Sequence, residues 1–225
     1  MSKRCYIVGA GEFSNKYKPM AGDFIIAADA GFAYLEKIGI EPDLVVGDFD
    51  SLGAPPKQLN VMQSPAEKDD TDMMLAVNEA LERGYEILLI DGAMGGRPDH
   101  TMANYQILTN IASRGATGIL LGDEMCATVV KNKSISFLPV QQVNKGQEMA
   151  QIESDRKDFI SIFSLGGKAE GVSISGLKYN LEDATLSHDY PIGVSNEFTD
   201  RAANISVKSG ILLVFWKGDL CRLNM

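Results

Sequence analysis

Short apolar runs and amphipathic stretches alternate along the first half of the chain. The runs are "CYIVGAG", "FIIAADAG", "LVVGDFD", "EILLIDGA" and "GILLGDE". From Asp72 onward, Met73, Met74, Val77, Ala80 and Leu81 fall on one helical face, with Asn78, Glu79 and Glu82 opposite and Gly84 as the stop. From His100, Ala103, Ile107, Leu108, Ile111 and Ala112 repeat the period up to Gly115. A shorter helix is expected over Phe32 to Lys37. Strands that are apolar on both faces and spaced by helices predict an open, mostly parallel sheet flanked by helices.

After about Cys126 the helical period disappears. "ATVVKNKSISFLPV", "DFISIFSLGG", "GVSISGLKY" and "NISVKSGILLVFWKG" are short strand-like runs broken by Gly, Pro, Asn and Asp. This texture predicts an antiparallel sandwich or small barrel. The expected organisation is therefore an α/β domain over 1–125 and an antiparallel β domain over 126–225. No internal repeat or low-complexity linker separates them.

Composition narrows the class. A chain of 225 residues buries roughly 70% of its unfolded surface, enough for a proper core. Lys and Arg number 21 against 30 Asp and Glu, a formal net charge of −9. With no basic run, nucleic acid is not the expected partner. An acidic chain still binds an anionic substrate when metal ions intervene. Cys5, Cys126 and Cys221 form no CxxC pair, so neither a zinc site nor a disulfide framework is expected, and a reducing, cytoplasmic setting is. The apolar run after "MSKR" is too short for a signal peptide. No run approaches the length of a membrane span.

Charge at the strand ends then changes the picture. In "LVVGDFDSLG", Asp48 and Asp50 stand two residues apart at the end of an apolar run. In extended backbone they point to the same side. Two carboxylates that close repel unless a cation holds both. Hard oxygen donors suit Mg²⁺, which takes one or two carboxylates plus substrate phosphates. A solvated turn explains this pair about as well.

Further clusters tip the balance. Asp29 ends the run "IIAADAGF", and Gly31 permits close backbone approach. "SPAEKDDTDMML" places Glu67, Lys68, Asp69, Asp70, Thr71 and Asp72 at a helix start. Capping and the helix dipole account for one or two acids there, not four. "DGAMGGRPDHTM" follows another strand. Asp99 suits an N-cap, and Arg97 behind a glycine pair at a helix start suits a phosphate clamp. Together the clusters point to a metal–phosphate site at the carboxyl ends of parallel strands.

The order and spacing of "DAG", "GDFDS", "EKDDTD" and "GGRPDH", followed by "GLKYNL" and "SNEF", resemble the thiamine pyrophosphokinase family over nearly the whole chain. The resemblance implies an α/β ATP-binding domain and a β-sandwich domain, working as a homodimer. It implies Mg²⁺-dependent transfer of the β,γ-pyrophosphoryl group of ATP to the thiamine hydroxyl, with release of AMP. It casts Asp48, Asp50 and Asp72 as metal ligands. Asp29, Gly31, Lys68, Thr71 and Arg97 fall at the nucleotide, and Arg97 and Asp99 join the catalytic set. Tyr179, Ser195 and Asn196 correspond to thiamine-binding positions reached across the dimer interface. Two departures stand out: Tyr179 where the family often has Trp, and Pro98 where it has Phe or Leu. A Tyr stacks on a pyrimidine with less area, and sandwich packing would explain it as readily. Pro98 fits a helix start.

For proton acceptance from the thiamine hydroxyl, Asp72 and Asp99 both qualify. His100, in a first helical turn, reads as structural. A haloacid-dehalogenase-like phosphatase shares DxD but usually has Thr or Val where Leu52 stands. A metal-using glycosyltransferase would leave "EKDDTD" and "GGRPDH" without work. A non-catalytic thiamine or nucleotide sensor would have lost part of the carboxylate set. "GAGEF" at Gly9 to Phe13 resembles half a dinucleotide fingerprint, with Ser14 in place of its third glycine.

Overall fold

The computed structural model describes residues 3–47, 60–63, 70–139, 158–217 and 220–224. They fall into two compact units, Met1–Asp123 and Glu124–Met225.

In the first unit, β1 (Arg4–Val8), β2 (Phe24–Ala28), β3 (Leu44–Gly47), β4 (Val61–Gln63), β5 (Ile87–Asp91) and β6 (Thr117–Leu121) pair in parallel, in the order β6-β5-β1-β2-β3-β4. The expected runs became strands, and the central ones are buried to the last residue: Cys5 to Val8 and Leu88 to Ile90 are at most 3% exposed. The three-residue strand β4 was not visible as a run, because so short an edge strand has no alternation to show.

Among the described residues three helices accompany the sheet: α1 (Gly31–Lys37), α2 (Asp72–Glu82) and α3 (Pro98–Ser113). Helix α2 buries Met73, Ala76, Val77 and Ala80. Helix α3 buries Ile107, Leu108 and Ile111, with the polar Asn104 on the same face. The start of α3 corrects the sequence reading. Arg97, not Asp99, occupies the N-cap, with Pro98 at the first helical position and Asp99 inside the first turn. Proline is pre-organised for that position and loses no hydrogen bond there.

The strand order reverses between β1 and β5. In an open parallel sheet such a reversal marks where a ligand crevice lies beyond the carboxyl ends of the strands.

The second unit is antiparallel throughout. One set of strands runs β12 (Asn196–Glu197), β9 (Phe159–Ser164), β14 (Ile211–Lys217), β7 (Met125–Lys131). The other runs β11 (Leu181–Leu186), β10 (Ala169–Ser175), β13 (Ala203–Ser206), β8 (Ser134–Phe137), β15 (Leu223–Asn224). Leu212, Val214 and Trp216 alternate along β14 at 0% exposure. The Trp216 ring meets Phe137 of the other sheet edge-on at 5.4 Å. This cross-sheet contact fills the core of a sandwich.

Candidate active site

A cleft of roughly 800 Å³ opens in the first unit at the reversal point. Its walls are the segment after β1, the segment after β5, the end of β2 and the starts of α2 and α3. The segments after β1 and β5 are laced together by Gly9 N to Asp91 O at 2.8 Å and Gly11 N to Gly92 O at 2.7 Å. A Cβ on Gly9 would lie 2.8 Å from the Gly92 carbonyl, and one on Gly92 would lie 2.4 Å from the Gly9 carbonyl. Only glycine at both places permits this closeness. The "GAGEF" stretch therefore forms a cleft wall without a dinucleotide fingerprint.

Asp91 ties the far end of that wall. Its side chain is wholly buried at the end of β5. Oδ1 accepts from Ser14 N at 2.9 Å and Gly92 N at 2.7 Å, and Oδ2 accepts from Ser14 Oγ at 2.7 Å and Tyr6 Oη at 3.1 Å. Burial pushes the Asp91 carboxyl above its ordinary pKa, and the donors from Ser14, Gly92 and Tyr6 pull against that rise. Burial likewise pushes the Tyr6 hydroxyl up. Asp91 ends an apolar run just as Asp29 does, so the same signal that singled out Asp29 would have found it.

Asp29 follows β2 in the left-handed region, φ 51°, which Asp tolerates better than most residues. Its N–H donates to Val46 O at 2.8 Å. Asp72 is the first residue of α2, and Thr71 caps that helix, its Oγ1 accepting from Met74 N at 3.2 Å. Gly47 joins the two acids. A Cβ there would lie 3.4 Å from Asp29 Cα and 3.9 Å from Asp72 Oδ1. The structure thus brings Asp29, Asp72 and the end of β3 to one place. Asp48 follows Gly47 directly, but Asp48, Asp50 and Lys68 lie outside the described residues. Gly31 is buried, and its close approach is to the chain itself: a Cβ would sit 2.0 Å from the Val8 carbonyl.

Arg97 and Asp99 are exposed on the cleft's edge and bound to each other, Nε to Oδ1 at 3.2 Å and Nη2 to Oδ2 at 2.6 Å. The guanidinium holds the Asp99 carboxyl below the usual carboxylate range. Asn104, unmarked in the sequence reading, donates from Nδ2 to Ala93 O at 2.7 Å and fixes the segment after β5 onto α3.

Among the described residues, no group of three or more His, Cys, Asp or Glu side chains is placed to hold a metal ion. Asp29 and Asp72 both line the cleft and carry hard carboxylate oxygens of the kind Mg²⁺ prefers, and Mg²⁺ needs few protein ligands when phosphates supply the rest. The residues fit the ion.

In the second unit Tyr179, Ser195 and Asn196 also come together. The buried Asn196 side chain accepts from Tyr179 N at 3.0 Å and donates to Tyr179 O at 2.7 Å. Ser195 sits in the left-handed region, φ 56°, with its N–H on Ser161 Oγ at 3.0 Å. Tyr179 is 62% exposed, so it does not pack in the sandwich. Its ring lies under the Lys178 ammonium at 5.4 Å.

Comparison with known proteins decides the family. The thiamin pyrophosphokinase catalytic domain matches residues 20–120, and the thiamin pyrophosphokinase vitamin B1 binding domain matches residues 148–212. The chain belongs to the thiamin pyrophosphokinase family. A thiamine pyrophosphokinase of Bacillus subtilis is 29% identical over 206 residues, covering 86% of this chain and 87% of the relative. The crystal structure of a Bacillus subtilis thiamine pyrophosphokinase superposes with a TM-score of 0.80 at 26% identity, covering 97% of this chain and all of that one. A thiamin pyrophosphokinase family protein from Enterococcus faecalis gives 0.76 at 27% identity, over 96% and 100%. The first match lies within the first unit and the second match within the second. The matched spans include Asp29, Asp72, Arg97 and Asp99 in the one and Tyr179, Ser195 and Asn196 in the other.

Proposed function

We propose that this chain forms thiamine diphosphate from thiamine by moving the β,γ-pyrophosphoryl group of ATP onto the thiamine hydroxyl, with AMP as the second product. The observation that carries the reading is the cleft at the strand-order reversal, which Asp29, Asp72, Gly95, Gly96, Arg97 and Asp99 line together. A metal–phosphate reaction needs an acidic corner and an anion-favouring helix start side by side, and this cleft has both.

Asp72, with Asp48 and Asp50, would hold Mg²⁺, which when bound supplies charge neutralisation on the phosphates. The chain's own residues do the remaining work. Arg97, a fixed cation at the cleft edge, orients phosphate oxygens by its planar fork. Gly31, Lys68 and Thr71 belong to the same nucleotide half, Gly31 and Thr71 through the packing and capping that place α1 and α2. In the transfer, the thiamine oxygen forms a bond to the β-phosphorus while the bridge to the α-phosphate breaks and its oxygen leaves with AMP. The hydroxyl proton passes to a carboxylate. Arg97 holds the Asp99 pKa down, which makes Asp99 a poor acceptor for that proton. Positioning and electrostatics carry such a reaction, with no covalent help from the protein.

The thiamine half of the proposal rests on Tyr179, Ser195 and Asn196, with the exposed Tyr179 ring free to stack on the pyrimidine. A homodimer with shared sites belongs to the same reading. The exposed Tyr190, Ile192 and Val194 support it, being apolar side chains that a second copy would cover. The buried thiols of Cys5 and Cys126 accord with a cytoplasmic setting. No helix among the described residues is long and apolar enough to cross a membrane.

Thiamine labelled with ¹⁸O at its hydroxyl tests the chemistry. The label is expected at the bridge between carbon and phosphorus in thiamine diphosphate. A bridge without label, with the isotope lost to water, would overturn direct attack by the hydroxyl.

A further inference from the structure

Glu12 lies on the wall formed after β1, and its carboxylate reaches across to the glycine pair that opens α3. Oε1 accepts from Gly96 N at 3.0 Å, between residues 84 positions apart. A Cβ on Gly95 would come 2.4 Å from both Cδ and Oε2 of Glu12, so the carboxylate rests on the backbone of the pair. Gly95 and Gly96 both have positive φ, 79° and 65°. Within the pair, the Gly96 N–H is the one that meets an anion, the Glu12 carboxylate. The next residue, Arg97, is engaged by Asp99. Two groups suited to a phosphate, the Gly96 amide and the Arg97 fork, are thus each met by a carboxylate of the chain.

Glu12 differs from Asp99 in coming from a separate segment whose backbone is fixed independently. Gly11 N donates to Gly92 O at 2.7 Å and Glu12 N to Met94 O at 3.2 Å. Tyr34 Oη donates to Gly11 O at 3.0 Å. The wall therefore keeps its place whether or not the Glu12 side chain touches Gly96.

We propose that Glu12 is an internal stand-in for a ligand phosphate. Its carboxylate occupies the Gly96 N–H and has to leave before a phosphate oxygen takes the same donor. One N–H cannot serve two anions, and the like charges repel in the shared space. Glu12 therefore weakens the hold on every phosphate-bearing ligand, products included, and hastens their departure. This rests on reading the cleft as a nucleotide site and adds to that reading a residue that sets its affinity.

Calorimetric titration of the full chain with inorganic pyrophosphate and with ATP, each with Mg²⁺, tests it. Glu12→Ala removes the contact and is expected to bind at least one of the two probes about tenfold tighter, the worth of one charge-assisted hydrogen bond in a partly solvated site. Glu12→Gln, which keeps the shape and loses the charge, should fall between Glu12→Ala and wild type. Glu36→Gln, an exposed acid on α1, should match wild type and excludes a general effect of net charge. Unchanged or weaker binding of both probes by Glu12→Ala overturns the inference, as does absence of binding by every protein. Tighter pyrophosphate binding with no ATP binding in any protein would sustain the role of Glu12 and overturn the nucleotide reading.

Discussion

The side-chain amide of Asn196 closes on both backbone groups of Tyr179, accepting from its N–H at 3.0 Å and donating to its carbonyl at 2.7 Å. The same Oδ1 also accepts from Glu197 N at 2.9 Å. A buried amide committed in this way places Tyr179 before any ligand arrives. Asn196→Ala should cost about 1–3 kcal/mol of stability, since it strands backbone groups. It should also raise the KM for thiamine by releasing Tyr179. Asn196→Asp keeps the acceptor but sets an anionic oxygen against the Tyr179 carbonyl, and should be no milder at neutral pH. Denaturation curves indistinguishable from wild type would show that the amide serves a ligand and not the fold.

The acidic corner makes a different prediction. Asp72→Asn and Asp50→Asn should each lower turnover by on the order of 10²-fold or more, because the charge of a metal ligand goes while its shape stays. Stability should hardly change, as one of several neighbouring negative charges is removed. Near-normal turnover in both variants would reduce these acids to turn and helix-start residues.

Arg97→Lys keeps a cation and loses the fork that now holds Asp99 through two nitrogens. ATP use should weaken while the KM for thiamine stays within about twofold, since a point charge cannot replace bidentate geometry. Steady-state kinetics with each substrate varied in turn would separate this from an equal loss for both, which would mark Arg97 as structural.

Asp91 carries a pH signature. Its folded pKa is raised, chiefly by burial. A raised carboxyl contributes stability that is full below the ordinary carboxylate value of about 4 and is lost as pH rises through the folded pKa. Asp91→Asn holds a neutral side chain of the same shape at every pH. Its Oδ1 still accepts from Ser14 and Gly92, and its Nδ2 donates to the two hydroxyl oxygens. Urea denaturation should therefore show the variant gaining on wild type between pH 4 and pH 8. A variant that loses ground over that range would mean that the donors around Asp91 outweigh its burial.

Much of this was legible in the chain. The apolar runs became the strands of the parallel sheet because both faces of those strands are covered, leaving no polar alternation to blur them. Helices α2 and α3 followed their 3.6-residue period. Of the acids picked out, Asp29 at a strand end and Asp72 at a helix start both line the cleft. What the sequence hid are contacts between segments far apart in the chain. Glu12 on Gly96, Asp91 on Ser14 and Asn196 on Tyr179 each join groups 17 to 84 positions apart, and no local pattern records such a pairing. The two-residue strands β12 and β15 are too short for periodicity to register. Arg97 read as a candidate phosphate clamp and not as the partner of Asp99, since both readings use the same five residues from Gly95 to Asp99.

In the proposed reaction both terminal phosphoryl groups move together from ATP to thiamine. Purified protein incubated with ATP, Mg²⁺ and thiamine, with nucleotides and thiamine species resolved by chromatography, tests it most directly. AMP and thiamine diphosphate are expected in equal amounts, with neither formed when thiamine is left out. ADP with thiamine monophosphate, or no turnover of either substrate, would contradict it.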